Sequence, residues 1–575
     1  MSQPAHAPTR HLLEALLLAV AFAAAHTQSP LYYSNQNQYL LHGAALAHHG
    51  HLANDWLATT RDPTPLFSAL VAATYATAGP WLLQPAYFAL LMGYVLAARW
   101  LVAAVPGVPD TRAARITFAA LFTAAHAAIL RWASVQLTGV DYPWYLQAGL
   151  AAQYLLGPGI QPSAFGVLLL VAVAAFAHGR AVLAAALVAL AVACHGTYVL
   201  HSALLTLGFM TALARRGEWR KAAVVGAVAL AVVSPAVIYN VREFSAEPYT
   251  ADRAYRILAE VRIPHHSVPA RWFDAVAGAQ LAWIGAGLFL LRRTPLFTPL
   301  AVATAGCALL TALQLATGGH ALALMFPWRI SVLLVPVATA VILAKVIAWR
   351  SWPSPLAGQG GGASPTGEGA RPDGSDVSPL TRSLRSLPSP ARGEGEQKSW
   401  GERLAVAGLV ALVAGGAAVT ACGLGYRTAD ERELYDHVRA TAGPDDVYLL
   451  PVQFPAVGTG RGAVSNTFAP PPPRAKPGTN QIPVDLQRFR LATGACVYVD
   501  FKSVPYAPAE VLEWRRRMIW ATDFYAKYVR DYPHYRDWMK REGITHVVVP
   551  RAKGVLAGYL TEVYADDAYF VYRVR

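Results

Sequence analysis

The sequence predicts an α-helical polytopic membrane protein of about eleven spans with a small C-terminal α/β domain outside the membrane, and three observations carry that expectation. Hydrophobic residues make up 55% of the 575-residue chain and charged residues only 14%, whereas a soluble globular protein approaches a quarter charged. Apolar runs recur between residues 12 and 348, and one more stands isolated at 404–423. A helix across a hydrocarbon core about 30 Å thick takes roughly 20 such residues. After residue 425 the apolar runs shorten and alternate with polar positions, the pattern of strands in a small folded domain.

Ala and Leu dominate the long runs. Because unpaired backbone groups are intolerable in lipid, this composition calls for helices rather than a barrel. The first run lacks a small-residue cleavage site followed by a hydrophilic chain, so it reads as a retained first span. The formal net charge is +14, but the positions of the basic residues argue against a nucleic-acid partner. Arg112, Arg115, Arg180, Arg215, Arg216, Arg220, Lys221, Arg292 and Arg293 all fall in short connections between apolar runs. Such connections belong on the cytoplasmic side. Spans then start near residues 12, 82, 116, 161, 181, 198, 221, 277, 296, 328 and 404, with the N-terminus inside and the C-terminal domain outside. Residues 66–78 are expected to form an interfacial or re-entrant helix, since a further span would invert the basic connections. Cys194, Cys307, Cys422 and Cys496 offer no disulfide framework and are expected to be buried.

Composition divides the chain into four pieces. Residues 1–349 form the bundle, including a first outer loop at 27–65. Residues 350–402, rich in Gly, Pro and Ser, bury too little apolar surface to offset chain entropy and are expected to be a disordered, dispensable cytoplasmic linker. Residues 403–424 form the last span. Residues 425–575 carry strand signals at 447–450, 497–499, 545–549 and 569–572, helix signals at 509–528 and 532–542, and a proline-rich loop around Pro470 to Pro473.

The first loop is the most informative stretch of the bundle, reading Ser29-Pro30-Leu31-Tyr32-Tyr33-Ser34-Asn35-Gln36-Asn37-Gln38-Tyr39 and, further on, Asn54-Asp55-Trp56-Leu57. Three other segments stand out for polar residues at the ends of apolar runs: Gln161-Pro162-Ser163, His195-Gly196-Thr197-Tyr198 and Phe326-Pro327-Trp328-Arg329. With these segments the chain resembles a set of bacterial membrane proteins of unassigned chemistry. In architecture it resembles the GT-C class of multi-spanning glycosyltransferases. That likeness implies an acidic residue in the first outer loop, a polyprenyl-phosphate-linked sugar donor, an envelope glycan or lipid acceptor, and a place in the bacterial inner membrane with the C-terminal domain periplasmic.

Sugar transfer from a lipid phosphate needs a base for the acceptor proton and donors for the charge that builds on the leaving phosphate. On the expected topology Asp55, Asp141, Gln161, His195 and Arg329 share one side of the membrane. Asp55 is the candidate catalytic base. Arg329 is the candidate phosphate clamp, His195 a hydrogen-bond donor to the same oxygens, and Asp141, Gln161 and Tyr33 candidate substrate contacts. Each has a plainer alternative: a helix cap or exposed carboxylate for Asp55, an interfacial anchor for Arg329, a satisfied core histidine for His195. His42, His48, His49 and His51 near Asp55 raise a metal site, though their spacing matches no specific motif. A requirement for Mg²⁺ or Mn²⁺ stays open. In the outer domain Asp500-Phe501-Lys502-Ser503 and Glu513-Trp514-Arg515-Arg516-Arg517 are candidates for recognising a glycan or lipid headgroup, with a charged helix face as the alternative. A transporter or flippase, or a non-catalytic scaffold for envelope assembly, would share the polar outer face. A transporter should in addition show related halves or broken helices.

Overall fold

The computed structural model describes residues 7–350, 392–424, 431–454, 485–527, 533–554 and 557–575. Most of the expected linker and the Pro470 to Pro473 loop lie outside the described residues. Apart from residue 404, which lies inside the Arg392–Ala421 helix, each expected span start falls at or near the beginning of a helix or of a helical turn leading into one. Among the described residues six helices are long and apolar enough to cross a membrane: Pro80–Ala103, Gly196–Ala214, Trp219–Phe244, Phe297–Thr317, His320–Trp349 and Trp400–Ala421. The helices Arg112–Ala124 and Ala128–Thr138 pass the same test only as a pair, bent by 45°. His11–His26, Pro162–Ala177, Ala181–Cys194 and Ala275–Leu291 are apolar but shorter, as is Pro65–Thr77, which covers the segment expected to be interfacial or re-entrant. The 14 residues of Ala181–Cys194 reach only about 21 Å at 1.5 Å per residue.

Between the Ala128–Thr138 and Val167–Ala177 helices the chain runs through 3₁₀ turns, is almost wholly buried from residue 147 to 166, and holds Ala151 and Ala152 in left-handed conformations at φ 57° and 54°. Non-helical backbone inside a membrane bundle must find hydrogen-bond partners elsewhere. It finds them on side chains. Tyr87 Oη donates to the Gly157 carbonyl at 2.6 Å, Tyr198 Oη to Ser163 at 2.6 Å, Gln36 Nε2 to Ile160 at 3.2 Å and Gln280 Nε2 to Ala148 at 2.8 Å. His266 Nδ1 donates to the Ala151 carbonyl at 2.8 Å, and the Leu150 amide donates to Ser331 Oγ at 2.8 Å.

The C-terminal domain is a five-stranded sheet in the order β2-β1-β3-β5-β4. The strands are β1 (Val447–Leu449), β2 (Cys496–Val497), β3 (His546–Pro550), β4 (Leu560–Ala565) and β5 (Tyr569–Val574). The first three are parallel; β5 and β4 run antiparallel to β3 and to each other. β4 is the strand that the sequence signals did not mark. Its burial pattern shows why, since only Leu560 of its six residues is buried. The helices Pro508–Lys527 and Pro533–Arg541 lie where helix signals were read.

The domain is seated on the bundle. Ala254 and Leu258, from the segment between the Trp219–Phe244 and Ala275–Leu291 helices, are buried in the same core as Trp514, Met518 and Val511. At a second contact the first loop touches the domain backbone to backbone, where the His51 amide donates to the Gly494 carbonyl at 2.7 Å. A Cβ on Gly50 would stand 2.6 Å from Gly494 Cα, and both glycines have positive φ, so no other residue type fits this crossing.

Candidate functional site

Three helix interruptions meet at one place, and they are the three motif segments. Gln161 caps the turn Pro162–Gly166, His195 ends the Ala181–Cys194 helix, and Phe326-Pro327 breaks the chain between His320–Leu324 and Ser331–Arg350. Phe326 is held at φ 48°, ψ 64°, a conformation that costs a bulky residue about 1–3 kcal/mol. Its carbonyl receives the Arg329 amide at 2.8 Å and faces His201 Nε2 at 3.1 Å. Arg329 Nη2 lies 3.4 Å from His195 Nε2, and the guanidinium carbon is 5.3 Å from the centre of the Tyr198 ring. Since a guanidinium only donates, His195 Nε2 is the acceptor and the neutral ring carries its proton on Nδ1.

Arg329 forms no ion pair among the described residues, and its Nε is buried without a hydrogen-bond partner. Tyr39, Tyr154, His195, Tyr198, His201 and His266 all lie in its field. Thr197 Oγ1 and Ser163 Oγ, from the other two interruptions, are also buried with no partner. Gln161 lies beside Tyr154. A half-buried cation with unused donors and no counter-ion is arranged to receive an anion.

The C-terminal domain closes on the same region. The Tyr39 ring meets His195 edge-on at 5.7 Å, and Tyr39 Oη is 3.4 Å from Tyr506 Oη, which also accepts from Gln38 Nε2 at 2.9 Å. Arg262 donates to the Lys502 carbonyl and lies 5.2 Å from the centre of the Phe501 ring, with its own Nε buried and unpartnered. Tyr39 lies in the fields of both Arg329 and Arg262, and His266 in those of Arg329 and Lys502, so three cations from distant parts of the sequence face one region. Burial, reinforced by Arg262, pushes the Lys502 ammonium down to about 7. His265 is held at about 3 by burial and by the same two cations.

Of the residues expected at the site, Arg329, His195 and Gln161 are gathered here. Asp55 is not an available base. It is wholly buried: Oδ2 accepts from Arg490 Nε and the Val497 amide, both at 2.8 Å, while Oδ1 accepts from the Leu57 amide at 2.9 Å. Arg490 reaches on to Asp500 at 2.5 Å, so the carboxylate anchors a buried ion triad that joins the first loop to the C-terminal domain. The carboxylate is not exposed, but it does cap the turn that follows it, Oδ1 accepting from the Leu57 and Ala58 amides at 2.9 and 3.4 Å. Asp141 is likewise committed, accepting from Arg131 Nη2 at 2.7 Å and from the Trp144 amide at 3.2 Å. Tyr33 packs with Ile129, Trp132 and Leu424 around Ala128 and Val419, away from Arg329.

Two of the loop histidines serve the domain contact, His49 Nε2 facing the Leu491 carbonyl at 2.9 Å and His51 Nε2 that of Ala442 at 3.0 Å, while His42 Nδ1 faces the Ala58 carbonyl of its own loop at 3.2 Å. Among the described residues no three His, Cys, Asp or Glu side chains are placed to hold a metal ion. Cys422 is exposed, not buried; the other three cysteines are buried. Glu513 pairs with Arg516 and Arg517 on one helix face, leaving the charged helix face as the description of that segment. Arg262, Tyr39 and Tyr506 were not singled out in the sequence. Lys502 was, but only as a general recognition candidate.

Residues 479–521 match the model of a domain of unknown function, DUF6798, and that segment contains Arg490, Asp500, Lys502 and Tyr506. No curated protein matches the chain. Among solved structures the chain is similar to ArnT from Cupriavidus metallidurans, crystallised with undecaprenyl phosphate. The identity is 13%, the match covers 99% of this chain and 98% of that one, and the TM-score is 0.43.

Proposed function

We propose that this protein is a GT-C-like membrane glycosyltransferase that moves a sugar from a polyprenyl-phosphate donor to an envelope acceptor, with Arg329 as the phosphate clamp. The observation that carries the reading is the convergence of three helix interruptions on an arginine without a counter-ion among the described residues. The planar guanidinium grips a phosphate through two parallel bonds. Arg262 and Lys502 supply further positive charge from the domain side, where a leaving phosphate gains charge during transfer. The reading places the site on the outer face and the basic connections inside. Reporter fusions test that placement: a reporter active only in the cytoplasm should work within residues 350–402 and fail at the C-terminus. Shortening those residues to a flexible bridge should leave expression and folding intact.

The test of activity is turnover of lipid-linked sugar by purified protein. Wild type should turn over, Arg329→Lys should keep the charge but bind donor more weakly, and Lys502→Met should lower the rate. Equal rates in all three proteins would make these residues structural. A second reading has an observation in its favour, because interrupted helices around a charged site also suit a carrier of anionic lipid or solute. Movement of a lipid phosphate across a vesicle membrane without sugar transfer would favour it.

A further inference from the structure

The helix that begins beside Arg329 ends in a second basic region. Val199–Ala214 is 16 residues long, so its far end lies about 24 Å from its start. There a cleft of about 380 Å³ is lined by Arg215, Arg216, Arg293, Thr294, Pro295 and Thr298. It lies between the end of that helix and the turn that opens Phe297–Thr317. Its arginines are not used up by the fold. Arg215 Nη1 only touches Thr298 Oγ1 at 3.4 Å, while the side chains of Arg216 and Arg293 make no ion pair or hydrogen bond among the described residues. Neighbouring Arg292 is committed elsewhere, folded over the Phe289 ring at 3.9 Å and donating to the Phe289 carbonyl. Glu218, the acid next to Arg216 and Gly217 in sequence, is taken by Lys221.

The surroundings give the depth of the cleft. Leu207, Val224, Leu230 and Phe289 leave large apolar surfaces exposed on the adjoining helices, and Trp219 is 70% exposed at the same end. Apolar helix faces ending in a tryptophan and a band of arginines mark the level of lipid headgroups. We infer that this cleft is a binding site for the phosphate of an anionic phospholipid, separate from the Arg329 site. A phosphodiester there would accept from three guanidinium groups while its acyl chains lie along the exposed leucines.

Thermal melting of the full-length protein in neutral detergent tests this, with phosphatidylglycerol, phosphatidylcholine or soluble glycerol phosphate added. Phosphatidylglycerol should raise the wild-type midpoint by about 2–4 °C, phosphatidylcholine should not, and Arg216→Gln/Arg293→Gln should abolish most of the rise. These two side chains hold no other group, so the variant should melt like wild type without lipid. Arg256→Gln, a basic residue outside the cleft, should keep the full rise. A response to glycerol phosphate equal to that of phosphatidylglycerol would assign the cleft to free phosphoesters and overturn the lipid source. An equal lipid response in Arg216→Gln/Arg293→Gln and wild type would overturn the site itself.

Discussion

Arg490 and Arg329 occupy opposite conditions in one molecule. Arg490 is bound by Asp55 at 2.8 Å and Asp500 at 2.5 Å, and donates to the Val497 carbonyl as well. Arg329 meets a neutral histidine and a tyrosine face and keeps a buried Nε unbonded. Both are partly or wholly withdrawn from water, where an uncompensated charge is costly. The first therefore reads as a fastening and the second as a cation with a donor to spare. Residue type does not separate the two roles; saturation of the donors does.

The sharpest way to break this contrast is to attack the fastening. Asp55→Ala leaves the Val497 and Leu57 amides and one edge of Arg490 without acceptors, and should cost about 3–5 kcal/mol, read as a lowered melting point and protease-sensitive C-terminal domain. If the protein melted normally but lost turnover, Asp55 would be a base after all and the comparison would fail. Arg329→Gln should show the reverse pattern. Stability should change by less than about 1 kcal/mol, because no ion pair is lost, while binding of a polyprenyl phosphate should weaken roughly 10–100-fold.

The domain side of the Arg329 site gives a pH signature. The folded Lys502 ammonium is lowered from its ordinary 10.5 to about 7, so between these values the unfolded chain binds the extra proton and stability rises with pH. The unfavourable contribution is complete below about 7 and is relieved as pH climbs toward 10.5. Relative to wild type, Lys502→Met should lack this rise in a melting-versus-pH series. A bound phosphate should restore the ammonium, so donor affinity should fall as pH increases through the neutral range. The smallest effect belongs to Tyr198→Phe, which removes one bond to the Ser163 carbonyl and should cost about 1 kcal/mol by thermal melting.

Much of this was readable beforehand where local chemistry decides. Long Ala- and Leu-rich runs specify helices whatever they pack against, and the prolines at 162 and 327 with the His195-Gly196 step mark the interruptions that come together. Which carboxylates are spoken for was not readable. Asp55 and Arg490 are separated by 435 residues, and no local pattern announces a partner at that distance. Arg262 was hidden for the same reason, since its place depends on how residues 245–274 fold under the C-terminal domain. β4 escaped because a mostly exposed edge strand carries little apolar alternation.

The buried turns between Thr138 and Val167 bear on the order in which the chain is made. Their carbonyls and amides depend on Tyr198, His266, Gln280 and Ser331, all of which leave the ribosome later. Until Ser331 emerges, this stretch cannot reach its final bonding and must stay in contact with water or an insertion factor. The N-terminal half is therefore not a finished unit waiting for an appendix. Its maturation is timed by the arrival of the Phe326-Pro327-Trp328-Arg329 turn, so the step that completes the interior is also the step that brings Arg329 into place.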